Sequence, residues 1–235
     1  MPNEHLSPAR LAGEATATAA TIEAATEATT QVTTEAADSA ASPVGLLLAG
    51  GLGSRFDPDG RSNKLLAPLV RGPHAGQPVA WVAACTLKAA LPRVIAVLRP
   101  DSVGTTALAA LLRRAGCEVV ASAAAARGMG ASLAAGVAAS ADASGWVVAL
   151  ADMPWLRTAT VAAVAAAIDH DAALVAPRFG GRRGHPVGFG RAHRAALLQL
   201  DGDVGARALL ARDTLCWIDT DDPGVLDDVD TPAAL

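Results

Sequence analysis

The chain contains no Tyr, three Phe and three Cys among its 235 residues, and each scarcity removes a class of architecture. Without aromatic anchors the core must be built from Ala, Val and Leu, which suits helices packed closely on a sheet. Cys85, Cys117 and Cys216 are odd in number and widely spaced, with no Cys-x-x-Cys pair. That pattern speaks against a disulfide framework and a zinc site, and leaves the expectation of three buried thiols in a reducing cytosol. No apolar run approaches the ~20 residues that cross a bilayer. The first residues also lack the basic start and apolar segment of a signal peptide, so a cytoplasmic location with no membrane partner is expected.

A basic field is missing too. The formal net charge is -4, and it is unevenly spread: Glu4, Glu14, Glu23, Glu27, Glu35 and Asp38 face Arg10 alone in residues 1–43. The remainder is almost balanced and offers nothing with which to displace counterions from a nucleic acid. Small-molecule partners are expected.

What the sequence does contain falls into two parts. Residues 1–43 are a low-complexity Ala/Thr/Glu stretch without a repeating apolar face, which predicts a disordered extension. From Val44 onward, residues 44–235 read as one domain in which short apolar runs alternate with Ala-rich segments of helical period. Strands are expected at Val44–Leu48, Arg93–Leu98, Glu118–Ala121, Trp146–Leu150 and Ala173–Ala176. Helices are expected at Pro78–Ala90, Thr105–Ala115, Met129–Ala141 and Thr158–His170. Continuous apolar strands alternating with helices predict an α/β, three-layer, doubly wound and mostly parallel sheet. After Pro177, glycines around His185-Pro186 suggest a hairpin over the sheet edge. Helices near Arg191–Gln199 and Gly205–Ala211 and a strand at Leu215–Ile218 would then close the domain.

Ligands of such sheets bind beyond the carboxyl ends of strands, which directs attention to the loops after Leu48 and Leu150. After Leu48 come Ala49, Gly50, Gly51, Leu52, Gly53, Ser54 and Arg55, where closely spaced glycines let backbone N–H groups turn toward an anion and Arg55 adds a charged fork. It is not a Walker A loop, and Phe56 stands where a dinucleotide fingerprint needs its third Gly. Lys64 is near enough in sequence to bring an ammonium back to this loop. Asp152 ends an apolar strand before Pro154 and suits Mg²⁺, which prefers carboxylate and phosphate oxygens, although a helix-capping role is open. The acidic run Asp227-Asp228-Val229-Asp230 could supply a second metal oxygen, with Asp230 preferred because Thr231-Pro232 restrains its backbone. His185, between Arg183-Gly184 and Pro186, reads as an exposed cationic turn able to meet an anion.

Together, Leu48 to Arg55, Lys64-Leu65-Leu66, Gly128-Met129-Gly130-Ala131-Ser132, Leu150 to Pro154, Arg183 to Val187, Gly202 to Arg207 and Asp228 to Pro232 resemble the MobA-like NTP transferases, and among them the molybdenum cofactor cytidylyltransferase branch. The resemblance implies a Rossmann-like nucleotidyltransferase fold. It also implies transfer of a nucleoside monophosphate from CTP or GTP to the terminal phosphate of molybdopterin, with Mg²⁺ as cofactor and a molybdoenzyme receiving the product. Arg55, Lys64 and Asp152 would be catalytic. Leu48 to Gly51, Gly53, Ser54, Gly128, Met129 and Ser132, together with Arg55 and Lys64, would bind the nucleotide, Asp152 and Asp230 the metal, and Arg183, His185 and Asp203 the acceptor. Gly50 stands where cytidylyltransferases usually carry Ala, which favours CMP less firmly over GMP. The segments Phe56 to Asn63 and Arg71 to Gly76 are longer than the family's usual connections. An NAD(P)H-dependent oxidoreductase is a second reading, opposed by Phe56 and by the lack of a ribose-binding acid after the second strand.

Overall fold

Strands that are apolar on both faces need covering on both sides. The computed structural model, which describes residues 42–51, 53–203, 205–211 and 214–235, provides that cover. The parallel strands are β1 (Val44–Ala49), β2 (Val94–Leu98), β3 (Glu118–Ala121), β4 (Gly145–Leu150) and β5 (Leu174–Phe179). The helices are α1 (Val79–Ala90), α2 (Thr105–Arg114), α3 (Met129–Ala138), α4 (Thr158–Ala166) and the short α5 (Arg194–Leu198). β1 is central, hydrogen-bonded in parallel to β2 on one side and β4 on the other. Its residues alternate between two cores: Leu47 and Ala49 pack with α1, α2 and α4, while Leu46 and Leu48 pack with α3 and α5. These layers form the expected α/β doubly wound sandwich, and residues 42–235 make one unit. The extension expected over residues 1–43 lies, up to residue 41, outside the described residues.

The second half departs from the expected outline. The glycine-rich excursion is not a flap over the edge. Its return strand β7 (Val187–Gly190) is inserted into the sheet, antiparallel to both β4 and β5. β6 (Arg182–Arg183) pairs the far end of β5, and β8 (Cys216–Asp219) runs parallel to β5 along its other edge. Phe189, fully buried on β7, explains why this segment goes inside. Gly205–Ala211 forms turns rather than a helix, with Leu209 and Leu210 both donating to the Ala206 carbonyl. α3 ends at Ala138, short of the expected Ala141; just beyond it the Ser140 hydroxyl donates to the Gly136 carbonyl and accepts from the buried Trp146 indole. The expectation of three buried thiols fails for Cys216, which is exposed on the edge strand, and Cys85 is half-buried; Cys117 alone is buried. Among the described residues no helix is long and apolar enough to cross a membrane.

Candidate active site

The carboxyl ends of β1, β2 and β4 open onto one cleft of about 410 Å³. Leu48, Gly50, Gly51, Gly53 and Ser54 form one wall, Gly128, Met129 and Ser132 another, and Asp152 lies at the end. Gly53 has φ +63, and a Cβ there would stand 3.3 Å from Cγ of Lys64. The turn therefore needs glycine twice, for its left-handed backbone and for the lysine stem beneath it. At Gly50 a Cβ would meet the Ser132 hydroxyl at 3.2 Å, so the first motif lies directly against the start of α3.

Lys64 reaches this place through a loop organised by one carboxylate. Asp57 accepts from the backbone N–H groups of Asp59, Arg61 and Ser62 and from the Ser62 hydroxyl, and the hydroxyl bond foremost holds its pKa below the ordinary value. Asn63 then caps the 3-10 turn Lys64–Leu66 by accepting from Leu65 N–H at 3.0 Å, while its amide donates to the Val103 carbonyl. The long Phe56 to Asn63 connection thus ends in a fixed turn. Lys64 is 8% exposed, and its Nζ lies 2.6 Å from Asp152 Oδ2 and 3.7 Å from Asp230 Oδ1.

Asp152 meets the acidic run through its backbone. Its carbonyl accepts from Val229 N–H at 2.8 Å, and the Val229 side chain is fully buried in the core. With Val229 buried, its neighbours Asp228 and Asp230 stay exposed and half-buried, respectively, beside Asp152. Carboxylate oxygens of Asp152, Asp228 and Asp230 lie within 4.8 Å of one another. Partial burial, and then the charges of Asp230 and Asp152, raise the Asp228 pKa. Arg55, with a side chain 77% exposed, pairs with Asp230 at the rim.

Asp228 was not singled out by the sequence reading, although it sits beside the preferred Asp230. The acids that precede this run have separate tasks that composition does not reveal. Asp219 pairs with Arg178, Asp221 with Arg157, and the buried Asp222 accepts from Arg157 N–H, Thr160 Oγ1 and Gly224 N–H. Asp222, not Asp152, therefore serves the start of α4. Arg99 was missed as well. It follows β2, lines the cleft, and has a buried Nε without a hydrogen-bond partner among the described residues; applying the carboxyl-end rule to β2 would have found it.

The three acceptor candidates do not form a group. Asp203 lines the first cleft, where the 201–203 turn lies so close to Gly128 that a Cβ there would meet Asp203 Oδ1 at 2.2 Å. Arg183 is exposed on β6. His185 is not an exposed cationic turn: it is half-buried, its buried Nδ1 has no hydrogen-bond partner among the described residues, and burial lowers its pKa, so the neutral ring is favoured. Its backbone N–H donates to the Val225 carbonyl, which draws the turn inward.

The family model described as MobA-like NTP transferase domain matches residues 45–216. A search of curated proteins finds no match. Rv0371c from Mycobacterium tuberculosis H37Rv shares the fold at 24% identity and a TM-score of 0.65, over 82% of this chain and 95% of that one. The same protein in complex with manganese aligns at 24% identity and a TM-score of 0.61, with the same coverage of 82% and 95%. A nucleotidyl transferase from Methanothermobacter thermautotroptrophicus aligns at 21% identity and a TM-score of 0.67, over 82% of this chain and 94% of that one.

Proposed function

The chain belongs to the MobA-like NTP transferase family, and from that premise we propose that it transfers a nucleoside monophosphate, CMP in preference to GMP, from an NTP to the terminal phosphate of molybdopterin. The supporting observation is Lys64, whose ammonium stands 2.6 Å from Asp152 between a glycine-rich cleft and three gathered carboxylates. The reaction is a substitution at phosphorus. An acceptor phosphate oxygen forms a bond to Pα, the bond from Pα to the bridging oxygen breaks, and its electron pair leaves with pyrophosphate. An ionised phosphate monoester needs no general base, so the protein has to position the reactants and neutralise charge.

The residues divide that work. Backbone amides around Gly50, Gly51 and Gly53 cradle phosphate oxygens, Lys64 and Arg55 meet the charge of the departing pyrophosphate, and Ser132, Met129 and Gly128 hold the ribose and base. Asp152, Asp228 and Asp230 are hard oxygen donors whose oxygens lie within 4.8 Å of one another, a set that fits Mg²⁺. When bound, Mg²⁺ supplies Lewis-acid neutralisation of phosphate oxygens. The catalytic domain lies within residues 42–235, and the reaction takes place in the cytoplasm.

Incubating the protein with each NTP, Mg²⁺ and molybdopterin, and measuring pyrophosphate and the dinucleotide product, tests the proposal. Product with CTP, and less with GTP, is expected. No pyrophosphate with any nucleotide, together with oxidation of NAD(P)H, would replace the transferase by the reductase reading.

A further inference from the structure

A transfer between two bound reactants needs a second compartment, and of Arg183, His185 and Asp203 the first cleft takes Asp203. A second cleft, of about 270 Å³, meets the acidic triad from the side of Asp228; its other lining residues are Arg71, Trp155, Leu226, Asp227 and Ala234. The first cleft takes Asp152 from the same triad. The two cavities therefore converge on one group of carboxylates, whose oxygens lie within 4.8 Å of one another.

The segment Arg71 to Gly76 gives the second cleft its cation. The loop is tied at its base by Leu69 N–H to the Gln77 carbonyl and Gly76 N–H to the Leu69 carbonyl, at 2.9 and 2.8 Å. Gly72 rests against the indole of Trp155, and the Arg71 guanidinium donates to the Ala234 carbonyl at 3.3 Å. No carboxylate among the described residues pairs with Arg71, so its remaining donors are available to a ligand. A half-buried indole, a guanidinium on a tied loop and the exposed carboxylate of Asp227 make a chemically mixed wall. That wall suits a planar heterocycle with a carbonyl on one edge and N–H donors on another.

We propose that this second cleft binds the acceptor of the transfer. The acceptor's ring lies on Trp155, Arg71 donates to its carbonyl edge, and Asp227 accepts from its ring N–H groups. Its phosphate monoester then extends past Asp228 toward the first cleft, where its oxygen forms the bond to Pα as pyrophosphate leaves. The Arg71 to Gly76 loop is thereby a determinant of which phosphate monoester this chain accepts. The proposal rests on the transferase reading for the reaction, but the binding geometry can be tested without turnover.

Two measurements on the full chain separate these claims. In steady-state assays with Mg²⁺, NTP and molybdopterin, Arg71→Ala and Trp155→Leu should each raise the acceptor KM by ~10-fold or more, the scale of losing ring stacking or a charged contact. The NTP KM and kcat should stay within ~3-fold, the signature of lost ground-state binding to one substrate, and Arg71→Lys should restore part of the loss. In the second measurement, fluorescence anisotropy of 6-hydroxymethylpterin phosphate reports binding with Mg²⁺ present and no nucleotide. Arg71→Ala and Asp227→Asn should weaken it, whereas competition by phenyl phosphate, which lacks the polar ring edges, should not respond to Asp227→Asn. Unchanged acceptor KM and unchanged probe binding in the variants overturn the proposal, as does failure of the wild-type protein to bind the probe. Probe binding that depends on Arg71 in a protein that releases no pyrophosphate sustains the cleft and sinks the transferase reading alone.

Discussion

Two constraints meet at Gly53: a left-handed backbone, with φ +63, and the Lys64 stem 3.3 Å from where a Cβ would be. Gly53→Ala should cost about 1–2 kcal/mol in backbone conformation alone and displace the Lys64 ammonium from Asp152. The measurable result is a lower urea midpoint together with slower pyrophosphate release. His185 makes a prediction of the opposite kind, in pH rather than in turnover. Its pKa is lowered from 6.5 by burial, so the unfolded chain binds the extra proton and the folded chain resists it. The stability this contributes is complete above pH 6.5 and is lost as the pH falls through the folded pKa. Urea midpoints between pH 8 and pH 5 should fall on the acid side in the wild type, and the fall should be shallower in His185→Gln.

Among the elements, α4 depends on a carboxylate distant in sequence. Asp222 is 1% exposed and accepts at 2.9, 2.7 and 2.9 Å from Arg157 N–H, Thr160 Oγ1 and Gly224 N–H. Asp222→Ala leaves those donors unsatisfied, at a cost of about 3 kcal/mol, which in a domain of this size lowers Tm by about 10 °C; differential scanning calorimetry measures it. The parallel strands and their helices were legible because periodicity reports burial, and β1 through β4 fall within a residue of their expected bounds. The insertion of β7 between β4 and β5 was not legible. Antiparallel pairing joins residues far apart, and the local pattern at Val187–Gly190 is the same for an edge hairpin as for an interior strand.

Across the whole molecule, three chain segments meet at one place: Lys64, Asp152 and the Asp228-Val229-Asp230 segment converge where β1 and β4 end. Lys64 and Asp152 were legible because each follows or precedes a recognisable apolar element. Asp228 was hidden, since the Val229 N–H bond to the Asp152 carbonyl that delivers it is a tertiary contact. Residues 42–235 carry both cores, so removal of residues 1–41 should leave Tm and turnover unchanged in calorimetry and pyrophosphate assays. We propose that the gathered carboxylates and Lys64 form a nucleotidyl-transfer centre. Its most direct test is the rate of pyrophosphate release with Mg²⁺, NTP and molybdopterin by Asp152→Ala, compared with wild type at equal folded fraction. A loss of at least ~100-fold is predicted, the scale of removing one electrostatic stabiliser of the transition state; a rate near that of the wild type would contradict it.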